Sequence, residues 1–427
     1  MKVIKFSLQM LGKEKKKSLF YIMSCTFSVM VTFLFLNIIY NHHYYGDKQI
    51  MAFGDYNSIL SVMLSFLVIT IVVAMSFYAY NFYLSSQTKE IGIFLLGGSK
   101  LSRLFLYLFS QNLFIYLISL VIGMVLGHGV VPLVNLYIAH QMNIDIPVFV
   151  YSPIAFFGTI GIMLAILFYL AIVATGFIRR HEIKELIGMK KDMSKKDERM
   201  LNLPSVFYIV LFLSPIPAAV LMHNPELTAI FSFVAILGGY KGFCRYVLPP
   251  LIQKIQRKAL LEHKIGLIAS GNFHQGLVQT CASSQIFLII CIFMNTYMIT
   301  NANNMNTVAL IFVAYISLVI SVSMGLLYKV LLEVSQRKIT FNHLHKLGYT
   351  TREICKIIRQ EVLCLYGMMA LILLVYTGAV YLPYVINGNL EVSFMMQNMG
   401  IFLLAIMVTG TISYRTYKKG MMEEIRK

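Results

Sequence analysis

Residues 85–104 read SSQTKEIGIFLLGGSKLSRL, and a related string, SQRKITFNHLHKLGYTTREI, returns at 335–354. Each predicts a short amphipathic helix, over Lys89 to Leu96 and over Ile339 to Leu347, closed by Gly97/Gly98 or by Gly348. Glycine suits a helix end because the left-handed conformation there brings no Cβ clash. Moving 250 positions along lays Ser85 on Ser335, Ile91 on Phe341, Phe94 on Leu344, Gly98 on Gly348 and Leu104 on Ile354. Both helices lie between long apolar stretches, so the chain offers two similar short helices to one side of a membrane. A two-fold partner would dock on such a pair.

The membrane assignment rests on composition. Hydrophobic residues make up 58% of the 427 and charged residues 13%, where a water-soluble domain carries roughly a quarter charged residues. Stretches of about 20 apolar residues can each cross the hydrocarbon core. Ten such stretches occur, near 18–40, 59–83, 104–126, 151–178, 204–222, 227–243, 281–300, 307–328, 361–382 and 397–414. The expected fold is all-α and polytopic, with ten transmembrane helices grouped 4+2+4 and two cytoplasmic coupling helices.

Lysine and arginine orient these spans. With the N-terminus inside, every one of the 36 Lys and Arg except Lys48 falls on the cytoplasmic side, as the positive-inside rule requires. Both termini are then cytoplasmic, in a plasma membrane. The net charge of +18 reads as a topology signal and an attraction to anionic headgroups in the lipid bilayer, worth about 1 kcal/mol per juxtamembrane cation. It is not read as a nucleic-acid footprint. The lysine-rich start, residues 1–17, reads as a membrane-stitching helix before the first span, with no small-residue cleavage site after it.

The grouping divides the chain into a four-helix half (1–200), a two-helix linker pair (201–245) and a second four-helix half (246–427). A mixed-sign run from Arg179 to Arg199 closes the first half. The prolines of SPIPAA, Ser214 to Ala219, should kink the fifth span. Leu251 to Ile268 should lie in the interface. Outer loops are expected at 41–58 and 127–150. Interfacial tyrosines are expected at Tyr40, Tyr44, Tyr45, Tyr381, Tyr384, Tyr414 and Tyr417.

Site chemistry is sparse. An ion-coupled carrier keeps ionisable groups in mid-membrane, and the middles of the ten stretches hold no Asp, Glu, Lys or Arg. Glu361, at the start of the ninth, is expected to face water or a partner. The string Gly97-Gly98-Ser99-Lys100 lacks P-loop spacing. His42-His43 and His343-x-His345 do not share a helix face and make no ready metal site. No catalytic, cofactor or metal residues are assigned. The weight rests on the coupling helices: Lys89, Glu90, Ile91, Gly92, Phe94, Leu95, Gly97, Gly98, Phe341, Leu344, Lys346, Leu347 and Gly348. Apolar residues in short cytoplasmic segments want a groove, which a soluble partner could supply.

KEIGIFLLGGSK (Lys89 to Lys100) resembles the K-E-I-G-x-x-x-x-x-G-x-(S/T)-K signature of FtsX-like ABC transporter permeases. QMLGKEKKKSLFYIMSCTFSV (Gln9 to Val29) and LHKLGYTTREICKIIRQE (Leu344 to Glu361) are similar to the Bce-type subgroup, the bacitracin- and lantibiotic-resistance permeases of Gram-positive bacteria. The resemblance implies a permease subunit, not an enzyme. It also implies a separate ABC ATPase, two copies per permease, which uses ATP and Mg²⁺, with a membrane histidine kinase as a further partner. The implied work is handling of a membrane-associated substrate such as an antimicrobial peptide or cell-wall lipid precursor. The alternative is a regulatory component that passes ATPase state to a kinase or wall enzyme without transport. One departure stands out. The large extracellular domain of Bce-type permeases would fall between the seventh and eighth spans, where this chain has only Thr300 to Asn306.

Overall fold

The computed structural model describes residues 7, 9–11, 15–41, 56–97, 101–142, 147–222, 224–255, 264–301, 305–388 and 392–425, except 181–203. Several expectations lie outside the described residues: Gly98, His42-His43, Tyr44, Tyr45, most of the 41–58 loop, the charge run after Arg180, and the middle of the Leu251 to Ile268 stretch. Among the described residues every element is helical and there is no strand.

The helices are α1 (Lys15–Tyr40), α2 (Tyr56–Ser86), α3 (Thr88–Leu96), α4 (Leu101–Met142), α5 (Pro153–Arg180), α6 (Ser205–Leu213), α7 (Pro215–Met222), α8 (Pro225–Ala235), α9 (Leu248–Ile255), α10 (Lys264–Thr300), α11 (Met305–Lys346), α12 (Thr351–Ile386) and α13 (Val392–Ile425). Two π-helical turns, Ile236–Tyr240 and Phe243–Val247, join α8 to α9. Ten segments are long and apolar enough to cross a membrane. The chain is an all-α polytopic membrane protein.

Helix lengths depart from the apolar windows. The loop expected at 127–150 is helix as far as Met142. At 1.5 Å per residue, the 42 residues of α4 reach about 63 Å, twice a hydrocarbon core. Pro132 sits within it. Hydropathy measures what lipid tolerates, whereas the helix continues as long as backbone bonds can. The SPIPAA break is present: α6 stops before Ser214 and α7 starts at Pro215, and Ser214 Oγ donates to Leu211 O at 2.8 Å.

The chain forms two compact units. Unit 1 comprises Met1–Arg199 with Met305–Ser321, and unit 2 comprises Met200–Asn304 with Val322–Lys427. In unit 1, α1 packs on α2, α4 and α5. A small-xxx-small pair on α4 brings it close to α1, since a Cβ at Gly123 would lie 2.7 Å from both Thr26 O and Val29 Cβ, and one at Gly127 would lie 2.8 Å from Phe33 Cδ1.

In unit 2, α10 packs on α8 and α12, and α12 on α13. The widened π turns free carbonyls, and Gln285 Nε2 donates to two of them, Ile236 O (2.8 Å) and Leu237 O (3.3 Å). Three tyrosines expected in an interfacial belt are buried here. The Tyr384 hydroxyl pairs with Thr228 Oγ1 at 2.8 Å and that of Tyr381 with Thr296 Oγ1 at 2.8 Å, and Tyr417 is buried as well. A tyrosine whose hydroxyl finds a partner on a neighbouring helix need not reach the headgroups for one.

Candidate functional site

The first repeat copy is a separate helix. After α2 the chain turns at Gln87 (φ −100°, ψ 6°), which starts α3 without a side-chain cap. The Gln87 side chain is buried and donates from Nε2 to Tyr83 Oη at 2.8 Å. Tyr83 stacks on Tyr21 of α1 at 4.9 Å, and Tyr80 and Tyr116 flank Tyr21 at 6.1 and 6.5 Å. The residue that launches α3 is therefore fastened into an aromatic cluster drawn from α1, α2 and α4. Ile91 and Gly92 face inward, Ile91 being fully buried. Leu95 is half-buried and Gly97 exposed. Of Lys89, Glu90 and Phe94 the backbone alone is described.

The second copy is not a separate helix. No glycine or proline interrupts residues 326 to 347, and α11 runs unbroken to Lys346. Its end follows the glycine rule closely. Gly348 has φ +92°, Tyr349 N donates to Leu344 O and Gly348 N to His345 O, a Schellman closure. Thr350 then caps α12 through a reciprocal box with Glu353. Gly97 differs: its φ is −71°, so the first copy closes without a left-handed residue.

The aligned positions share their burial. Ile91 and Phe341 are both inside, as are Leu104 and Ile354. The agreement continues along α4 and α12 through Tyr107 and Ile357, Gln111 and Glu361, and Tyr116 and Tyr366. Glu361 thus faces the helix interior rather than water. It lines a small cavity with Tyr366, Ser413 and Tyr417. A carboxylate eleven residues into α12 shares the inward face set by its apolar neighbours.

Outward positions form the candidate docking surface. Ile93 and Leu96 on α3 are 65% and 66% exposed, and Leu347 at the end of α11 is 76% exposed. Lys346 and Gly348 are exposed and Leu344 half-buried. Helical spacing from the buried Ile91 would have pointed to Ile93 and Leu96, since residues two and five away lie on other faces of the helix.

Residues 62–183 match the family model described as FtsX-like permease C-terminal, a stretch that contains α3. The chain is 26% identical over 165 residues to the bacitracin export permease protein BceB of Halalkalibacterium halodurans, covering 37% of this chain and 25% of that one. It is 28% identical over 175 residues to the uncharacterized ABC transporter permease YvcS of Bacillus subtilis (40% and 26%), and 24% identical over 201 residues to BceB of Bacillus subtilis (47% and 30%). The match thus spans under a third of the length of these relatives. Residues 62–183 are thus similar to an FtsX-like permease domain, and the chain resembles ABC permeases and bacitracin export permeases at modest identity.

Proposed function

We propose that this chain is the membrane subunit of an ABC complex in a plasma membrane and couples ATP hydrolysis by a separate ATPase subunit to handling of a membrane-associated substrate. The observation that carries the reading is the pairing of buried anchor and exposed apolar tip on both repeat copies. Ile91 and Phe341 fix the helices, and Ile93, Leu96 and Leu347 point away from the chain. The charge pattern assigns both copies to the cytoplasmic side, and each would receive one ATPase copy carrying the ATP and Mg²⁺. The substrate class is a peptide antibiotic, in line with the bacitracin export named for two relatives, or a lipid-linked wall precursor.

Ile93→Glu with Leu96→Glu, and separately Leu347→Glu, should each reduce co-purification of the ATPase about ten-fold or more, since central apolar anchors contribute about 2 kcal/mol or more to such interfaces. Undiminished association of both variants would overturn the docking assignment. A deletion strain that loses reporter induction while keeping peptide resistance would overturn transport in favour of signalling to a histidine kinase.

A further inference from the structure

The cations of α12 and α13 form a patch that the coupling reading does not use. On α12, Arg352, Lys356 and Arg359 are all exposed and fall on one face at i, i+4 and i+7. The next exposed residue along that face is apolar, Leu363 (59%), and farther along the helix Leu371 (58%) and Val375 (63%) are exposed as well. The same change occurs on α13 in the reverse direction, where exposed Leu404 and Met407 give way to exposed Arg415, Lys418 and Lys419.

The two transitions lie at one depth. Tyr366 Oη and Ser413 Oγ are 2.7 Å apart, and a Cβ on Gly378 would meet Met399 Cε at 3.9 Å, so the helices run antiparallel with Tyr366 level with Ser413. Arg359 is seven residues from Tyr366 and Lys418 five from Ser413. At 1.5 Å per residue, these are about 10 and 8 Å toward the same end. Among the described residues, two acidic side chains lie near this end of α12. Glu353 closes the Thr350 capping box and Glu361 is buried.

We infer that this band, Arg352, Lys356, Arg359, Arg415, Lys418 and Lys419, is a binding surface for the phosphate headgroups of anionic phospholipids in the adjoining leaflet. The apolar part of each face can only meet acyl chains. On α12 the cationic part continues it within about one helical turn, so the same lipid that covers Leu363 presents its headgroup to Arg359. A surface built for a soluble partner would have no reason to share that face and depth on two neighbouring helices. Juxtamembrane cations attract anionic lipid within a Debye length.

The test uses the full chain in nanodiscs, with spin-labelled phosphatidylglycerol and phosphatidylcholine as probes. The wild type should prefer phosphatidylglycerol, the preference fading in high salt. The variant Lys356→Gln/Arg359→Gln/Lys418→Gln/Lys419→Gln should lower it about three-fold or more, as loss of several cations each worth a few-fold requires. Lys356→Arg/Arg359→Lys/Lys418→Arg/Lys419→Arg should retain it. A control with the same charge change, Lys190→Gln/Lys191→Gln/Lys195→Gln/Lys196→Gln, should retain it too. Equal losses in the two glutamine variants would overturn the patch in favour of net charge. A wild type with no preference would overturn it whether or not the variants fold. An unchanged lipid preference with loss of a protein partner would reassign the cations to that partner.

Discussion

Gly123→Ala should loosen the α1–α4 contact in unit 1. The added Cβ would stand 2.7 Å from Thr26 O, 2.7 Å from Val29 Cβ and 2.8 Å from Val29 Cγ1. Carbon contacts settle at about 3.5–4.0 Å, so the helices must part by about 1 Å. Val29 is fully buried, and the clash includes a backbone carbonyl, so no side-chain rotation relieves it. Separation of this size forfeits about a quarter to a half of each neighbouring dispersion contact, and overpacking of this kind costs about 1–3 kcal/mol. Alanine returns about 1 kcal/mol of helix propensity, which leaves about 0–2 kcal/mol of net destabilisation. Gly129 lies on the same helix with nothing within 4 Å of its added Cβ, so Gly129→Ala should keep the propensity gain. Reversible unfolding in bicelles by SDS titration should separate the two variants by about 1–3 kcal/mol, the overpacking cost alone, because both share the propensity gain. Equal stabilities would refute the close approach of α1 and α4.

Two further outcomes follow from buried hydrogen bonds. Gln87→Ala removes the donor to Tyr83 Oη and should lower hydrogen-exchange protection across 88–96 about ten-fold, as expected for one buried bond worth about 1–1.5 kcal/mol. Exchange in α12 should not change, and unaltered protection of 88–96 would refute Gln87 as the anchor of α3. Thr228→Val should destabilise unit 2 more than Tyr384→Phe, because Thr228 Oγ1 still bonds Asn224 O at 2.9 Å when the tyrosine hydroxyl is gone. Each change should be within about 0.6–1.7 kcal/mol, read by thermal unfolding. The double variant should recover part of the Thr228→Val loss, and strict additivity would argue against the pairing.

The coupling segments show where residue patterns were sufficient and where they were not. The apolar residues of KEIGIFLL and ITFNHLHKL announced helices next to spans, and local backbone energetics alone closes one of them at Gly348. Periodicity did not say which apolar residues turn inward. Ile91 and Phe341 looked like partner contacts because a sequence does not display the neighbouring helices that cover them. Ile93 and Leu96 became visible as the outward face only once α3 was anchored beside α2 and α4. Glu361 and Tyr384 were misplaced for a related reason: polar residues near span ends usually seek water, but these found an interior on adjacent helices.

Composition and charge by themselves determined that this is an all-α chain with ten apolar spans, because transfer into lipid depends on residue type summed over about 20 positions. The repeat at 85–104 and 335–354 was also legible, since it needs only the order of residues. The tertiary structure decided what sums and order do not contain. Contacts between distant segments, Tyr83 on Tyr21 above all, fasten Gln87 and so place α3. The same contacts make Gly123 a site of helix approach, and they align the cations of α12 and α13 through the Tyr366–Ser413 bond. Packing is pairwise and long-range, so it emerges only when the helices meet.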